Sequence, residues 1–128
     1  MEEYKCCEVC GKPYSEGHHI VFKSHAKYME HVPINIMYLC YKHHKYDKKL
    51  APHQNEAIDR EYKKILQLKL NKIFDKDYYT PQQIKEKLGI SLNIVRGITK
   101  TLTIKKEGYS KEELIIRMMG DKNYDISY

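Results

Sequence analysis

Two short motifs, Cys7-x2-Cys10 and, thirty residues further on, Cys40-x2-His43, most constrain what this chain can fold into. Two ligands three apart on a tight turn can aim both donor atoms at one ion about 2.3 Å away. Two such pairs complete a tetrahedral set with no open position, which is the chemistry of a structural zinc. Buried thiols or a disulfide are the alternatives. A disulfide does not suit a chain whose opening residues, MEEYKCCEVC, lack a signal-peptide core. Cys6 adjoins Cys7 and gives the less common x3 spacing to Cys10, so it is read as a bystander. A module of about 50 residues buries too little apolar surface to stand comfortably without such a staple.

The chemistry-bearing residues are unevenly spread. All four cysteines and all seven histidines lie within residues 1–53. The excess of basic charge lies behind them: residues 1–54 carry eight basic against six acidic side chains, residues 55–128 fifteen against eleven. A net charge of +6 favours a polyanionic partner such as nucleic acid. No apolar run approaches the roughly 18 residues of a membrane span, so no membrane partner and a cytoplasmic location are expected.

Residues 55–74 bring Ile58, Tyr62, Ile65, Leu66, Lys69, Ile73 and Phe74 together at helical spacing, with Asp59, Lys63, Lys64 and Lys72 expected toward water. Thr80, Pro81 and Gln83 read as a capping box opening a second helix, Gly89 as its end, and Ser91 as the cap of a third. Helix, glycine turn, helix is the pattern of a helix-turn-helix or of a plain helical hairpin. Arg96 and Lys100 on the third helix, with Lys105 and Lys106 beyond, favour contact with DNA. A last helix opens at Ser110 with Glu113 in a second capping box and ends at Gly120; residues 121–128 read as a frayed end. The expected division is a zinc-bound module at 1–54, a linking helix at 55–77 and a helical DNA-binding region at 78–128. The long helix could pair with a second copy, giving a homodimer, or pack on the front module; the pattern leaves both open.

Between the two cysteine motifs lie Gly17-His18-His19-Ile20 and Asn35, and His44 follows His43 directly. His43 and His44 are one helical step apart and point about 100° away from each other, so adjacent histidines can serve different ions. His18 and His19 pose a harder problem, because neighbours on a strand face opposite sides. Both can serve one site only where the strand ends, twists or bulges, as Gly17 would permit. His53 is a candidate third metal ligand or phosphate contact, or an ordinary histidine at a helix start. His25 and His31 are expected to be exposed, and Lys23 and Lys27 in the same loop can touch backbone phosphates.

The order Cys-x2-Cys, His-His-Ile, Asn-x4-Cys-x2-His-His, over residues 6–53, closely resembles the HNH endonuclease family. The resemblance implies an α+β protein with a zinc-stapled ββα-metal module that cuts DNA with one catalytic divalent metal. By the same match His19 corresponds to the general base and Asn35 to the middle Asn, which either fixes the loop positioning His19 or adds a ligand. His18 and His44 correspond to ligands of Mg²⁺, Mn²⁺ or another divalent ion, beside Zn²⁺ on Cys7, Cys10, Cys40 and His43. The implied products carry a 5′-phosphate and a 3′-hydroxyl, and one site cuts one strand of duplex or branched DNA. The pattern is similar to phage or prophage nucleases, which would act in the bacterial host cytoplasm. Three rivals remain: a non-catalytic zinc-containing DNA-binding protein, a junction- or RNA-directed nuclease on the same chemistry, and a zinc module that binds other proteins.

Overall fold

The computed structural model describes residues 5–122 and 124 of the 128. It is a small α+β protein with two short antiparallel sheets and four α-helices among those residues. Strand β1 (Glu16–His19) pairs with β2 (Ile36–Leu39) in a regular register, Glu16 opposite Leu39 and His19 opposite Ile36. The sixteen residues between them make two 3-10 turns, Lys27–Met29 and Pro33–Asn35. Directly after β2, where an α-helix was expected, the chain makes a five-residue π-turn, Lys42–Tyr46, closed by the Asp47 amide on the Lys42 carbonyl at 2.8 Å. Such wide turns are uncommon and often lie at functional positions.

Helix α1 (Glu56–Ile73) starts where the Asn55 carboxamide accepts from the amides of Ala57 and Ile58, satisfying two donors that a helix start leaves free. Its buried residues are Lys63, Leu66, Gln67 and Leu70, with Phe74 closing the row. The buried face is therefore turned from the sequence expectation. Ile65 is exposed, and Lys63 and Asp59 are not solvent charges: Lys63 is buried, paired with Asp59 at 2.7 Å and seated over the Phe22 ring. The aromatic face and the carboxylate together give the ammonium a place to be buried.

Helix α2 (Pro81–Leu88) carries the expected Thr80–Gln83 capping box in full. Gly89 takes φ +65°, the left-handed conformation that ends a helix most cheaply in glycine. Helix α3 (Leu92–Thr99) is capped by the Ser91 hydroxyl. Strands β3 (Tyr78–Tyr79) and β4 (Tyr109–Ser110) form the second sheet. Gly108 beside it has φ +123°, and a Cβ there would collide with the Tyr79 backbone. Helix α4 (Lys111–Met118) departs from expectation at its start. Ser110 makes no side-chain cap, and the Lys111 amide bonds to the Asp77 carbonyl instead, because the β3–β4 pairing already brings that carbonyl near. Of the end read as frayed, residues 123 and 125–128 lie outside the described residues, while Tyr124 bonds through its backbone to the Gln67 side chain.

One apolar core joins the three segments that the sequence divides. Ile20, Val21, Met29 and Val32 from the front pack with Leu66, Leu70 and Phe74 of α1, and with Ile84, Val95, Ile98, Leu114 and Met118 of the tail. The long helix thus packs against this chain's own front and tail. A smaller cluster of Cys7, Leu39 and Cys40, with Met37 and Tyr62 against it, lies under the cysteine motifs. Among the described residues no helix is long and apolar enough to cross a membrane.

Candidate metal centres

The two knuckles converge. Cys7, Cys10, Cys40 and His43 bring their donor atoms within 4.8 Å of one another, so this cluster could hold a metal such as zinc. The separations test the fit. A tetrahedral zinc with bonds of about 2.3 Å to sulfur and about 2.0 Å to nitrogen has S–S edges of about 3.7 Å and S–N edges of about 3.5 Å. Here Cys10 Sγ lies 3.7 Å from Cys40 Sγ, and His43 Nδ1 lies 3.6 and 3.3 Å from the sulfurs of Cys7 and Cys40. The hairpin brings the pairs together: the Glu8 amide donates to the Tyr38 carbonyl at 2.8 Å, clamping the first knuckle to β2 just before Cys40. Burial opposes ionisation of Cys7, but the backbone amides of Cys40, Cys10 and Val9 and the His43 ring outweigh it and lower its pKa to about 6. A thiol so placed is largely thiolate at neutral pH, the form that binds metal. Cys6 is exposed and is not in the cluster.

A second cluster lies on the other side of the π-turn. His18, His44 and His53 also bring their donor atoms within 4.8 Å of one another. His44 Nε2 is 3.1 Å from His18 Nδ1 and 3.0 Å from His53 Nε2. One ring nitrogen carries at most one proton, so His44 Nε2 cannot pair well with both neighbours as a donor. Two ligands at right angles on an ion with bonds of about 2.1 Å stand about 3.0 Å apart, which matches the spacing seen. His18 is 1% exposed, and burial first, then the neighbouring His44 and His53, lowers its pKa to about 3. His44 is lowered in the same way, by burial and then by His53, against the opposing pull of Glu16. Neutral imidazoles with free lone pairs are what a cation requires. His18 Nε2 and His44 Nδ1 are buried without a hydrogen-bond partner, although Glu16 Oε1 stands 3.6 Å from the latter.

The cluster opens on a cleft of about 490 Å³ lined by Gly17, His18, His19, Phe22, Lys23, Ser24, His44, Lys45 and His53. Both members of the His-His pair reach this cleft because β1 ends at His19. Of the alternatives of an ending, a twist or a bulge, the strand ending is the one seen, and the pairing stays in register through Gly17. His19 Nε2 lies 2.9 Å from the Glu30 carbonyl. A carbonyl only accepts, so the proton sits on Nε2 and Nδ1 keeps its lone pair. Asn35 is fully buried. Its Oδ1 accepts from the Val21 amide, and its Nδ2 donates to the carbonyls of Val21 and Met29. These bonds tie the Asn35 side chain to the loop next to Glu30, and none of them goes to either donor cluster.

The remaining expected contacts are all exposed. Lys23 lies on the cleft wall, 3.7 Å from Glu30 Oε1, and Lys27 sits in the following turn. Arg96 lies on α3, Lys100 just past its end, and Lys105 and Lys106 before β4; none of the four is among the residues that line the cleft. His25 and His31 are exposed as expected. Sequence reasoning missed four contributors. Glu16 shares a strand face with His18, so the two-residue period carried a signal for it. Phe22, whose ring stacks on His53 at 5.6 Å and 10°, and Lys45, which joins Glu16 at 3.7 Å, gave none. The Glu30 carbonyl acts through backbone, which no residue type announces.

Compared with protein-family models, curated proteins and solved structures, the chain matches none.

Proposed function

We propose that this chain is a metal-dependent endonuclease of the HNH type, a ββα-metal module hydrolysing phosphodiester bonds of DNA, one strand per site. The convergence of His18, His44 and His53 beside His19 in one cleft carries this reading. The β1–β2 hairpin followed by a helical turn, stapled by a separate four-donor cluster, supports it.

Phosphodiester hydrolysis needs a base that accepts a proton from water near neutral pH, and an imidazole has the right range. His19 meets the requirement through Nδ1, because its other nitrogen is committed to Glu30. A divalent ion held by His18, His44 and His53 would supply the positive charge that the phosphate and the leaving oxygen need. Three imidazoles with no carboxylate among them favour Co²⁺, Ni²⁺ or Zn²⁺ over Mg²⁺ and Mn²⁺, which are better suited to oxygen ligands. Lys23 and Lys45 on the cleft walls oppose the charge of a bound backbone. Arg96, Lys100, Lys105 and Lys106 would anchor duplex or branched DNA by its phosphates.

The test is nicking of supercoiled plasmid with each divalent ion in turn. Nicks that vanish in His19→Ala, with zinc content and melting unchanged, are the expected result. No nicking with any of these ions would leave a zinc-bound DNA adaptor. Faster cleavage of RNA or of four-way junctions than of linear duplex would reassign the substrate.

A further inference from the structure

The loop that carries the Glu30 carbonyl is held from two sides. Asn35 holds the Met29 carbonyl from within the front segment. The other hold comes from the tail. The guanidinium of Arg117, on α4, lies over the Tyr28 ring with 3.6 Å from Cζ to the ring centre. The Tyr28 hydroxyl donates to the Arg117 carbonyl at 2.5 Å. Arg117 in turn donates through Nε to the Ile98 carbonyl at 2.9 Å and through Nη2 to that of Gly97 at 3.4 Å, and Nη1 lies 3.5 Å from Asp121 Oδ2. Tyr28 is pressed against α3 as well: a Cβ on Gly97 would stand 3.4 Å from the Tyr28 Cβ. One side chain thus ties the last turn of α3, helix α4 and the 27–30 turn together, two residues before the carbonyl that accepts the hydrogen bond from His19 Nε2.

We propose that Tyr28 and Arg117 are positioning residues for His19: their contact fixes the Glu30 carbonyl and so keeps the His19 proton on Nε2, leaving Nδ1 as the base. This rests on the nuclease reading for its catalytic part, but not for its geometric part. A guanidinium held over an aromatic ring and bonded to fixed carbonyls is a stiff link, and an imidazole tautomer follows the partner of its other nitrogen. The tail therefore sets the quality of a base that it does not touch.

The experiment uses the full zinc-loaded chain with ¹⁵N-labelled histidine rings, read alongside plasmid-nicking kinetics. In the parent chain the expected result for His19 is a single Nε2–H tautomer. Arg117→Ala and Tyr28→Ala are expected to mix in the Nδ1–H form and to lower kcat on the order of tenfold, with KM within about twofold. Tyr28→Phe keeps the ring, loses only the hydroxyl bond, and is expected to fall between. Arg117→Lys keeps the alkyl stem and charge but not the flat face, and it carries the same test should the alanine variants not fold. An unshifted His19 tautomer in the folded variants overturns the proposal, whatever the rate does. A parent chain that cuts nothing removes the nuclease reading, while the nitrogen spectra still decide the positioning.

Discussion

His43 and His44 are neighbours in the chain, yet their rings belong to different clusters: His43 Nδ1 stands 3.3 Å from Cys40 Sγ, and His44 Nε2 stands 3.1 Å from His18 Nδ1. The π-turn that carries both sends one side chain to each cluster. Stability and chemistry should therefore separate at adjacent positions. Cys40→Ala is expected to lose zinc and to cost about 3 kcal/mol or more, because metal binding there is coupled to folding. His44→Ala is expected to keep zinc, shift stability by about 1 kcal/mol at most, and lose nicking. Metal content by mass spectrometry and urea melts check both, and zinc loss in His44→Ala would show the clusters to be one unit.

Acid should weaken the fold through the second cluster. The folded-state pKa of His18 is depressed from 6.5 to about 3, and His44 is shifted the same way. Below pH 6.5 the unfolded chain binds protons that the folded chain refuses, so stability falls as pH falls, and this loss is complete near pH 3. Each such group contributes a slope of at most about 1.4 kcal/mol per pH unit. Urea melts of the zinc-loaded chain at pH 7, 6 and 5 measure it, and His18→Leu should flatten the slope relative to the parent. Equal slopes in the two proteins would place the pH dependence elsewhere.

The candidate donor clusters were legible because donor spacing is a local property: two knuckles and an adjacent His pair can be seen in the string. The helix caps at Thr80, Gly89 and Ser91 were legible for the same reason. What was not legible depends on contacts between distant segments. Lys63 looks like a solvent charge in a helical projection, and only the approach of Phe22 and the Asp59 carboxylate buries it. Ser110 looks like a cap until β3 supplies the Asp77 carbonyl. The role of Asn35 needed the position of Met29, and the orientation of His19 needed a backbone carbonyl eleven residues away.

Asn35→Ala should act on stability first. It removes the side-chain partner of the Val21 amide and of the Val21 carbonyl, while the Met29 carbonyl keeps the Val32 amide at 3.3 Å; a buried group left unsatisfied costs about 1–3 kcal/mol. His19→Ala removes a half-buried ring at the cleft, so its loss should fall on turnover, by about 10² to 10⁴, with little change in melting. Thermal melts set beside single-turnover nicking rates compare the two. An Asn35→Ala chain as stable as its parent would contradict the loop-fixing role.

Removing residues 78–128 should unfold the front rather than release a working module. Ile20, Val21, Met29 and Val32 would lose Ile84, Val95, Ile98, Leu114 and Met118 as core partners. Deleting even one such buried side chain costs about 2–5 kcal/mol against a total stability of about 5–15 kcal/mol. Circular dichroism and amide exchange of the 1–77 fragment with zinc check this, and a fragment with cooperative melting would show that the front has a sufficient core of its own.

Contact between α3 and DNA has its own signature, because Arg96 and Lys100 are exposed and do not line the cleft. A cation on a phosphate displaces a counterion, so affinity depends on salt with a slope of about 0.9 per neutralised phosphate. Arg96→Ala and Lys100→Ala should each lower the slope of log affinity against log salt by about that amount. Binding should weaken evenly across sequences, and nicking at saturating DNA should not change. Lys45→Ala, on the cleft wall, should lower the slope and also slow turnover, since a phosphate held there lies next to the reacting one. Titrating a labelled duplex at several salt concentrations separates these cases. Slopes unaltered in both variants would leave α3 as a packing element for Tyr28 and Arg117.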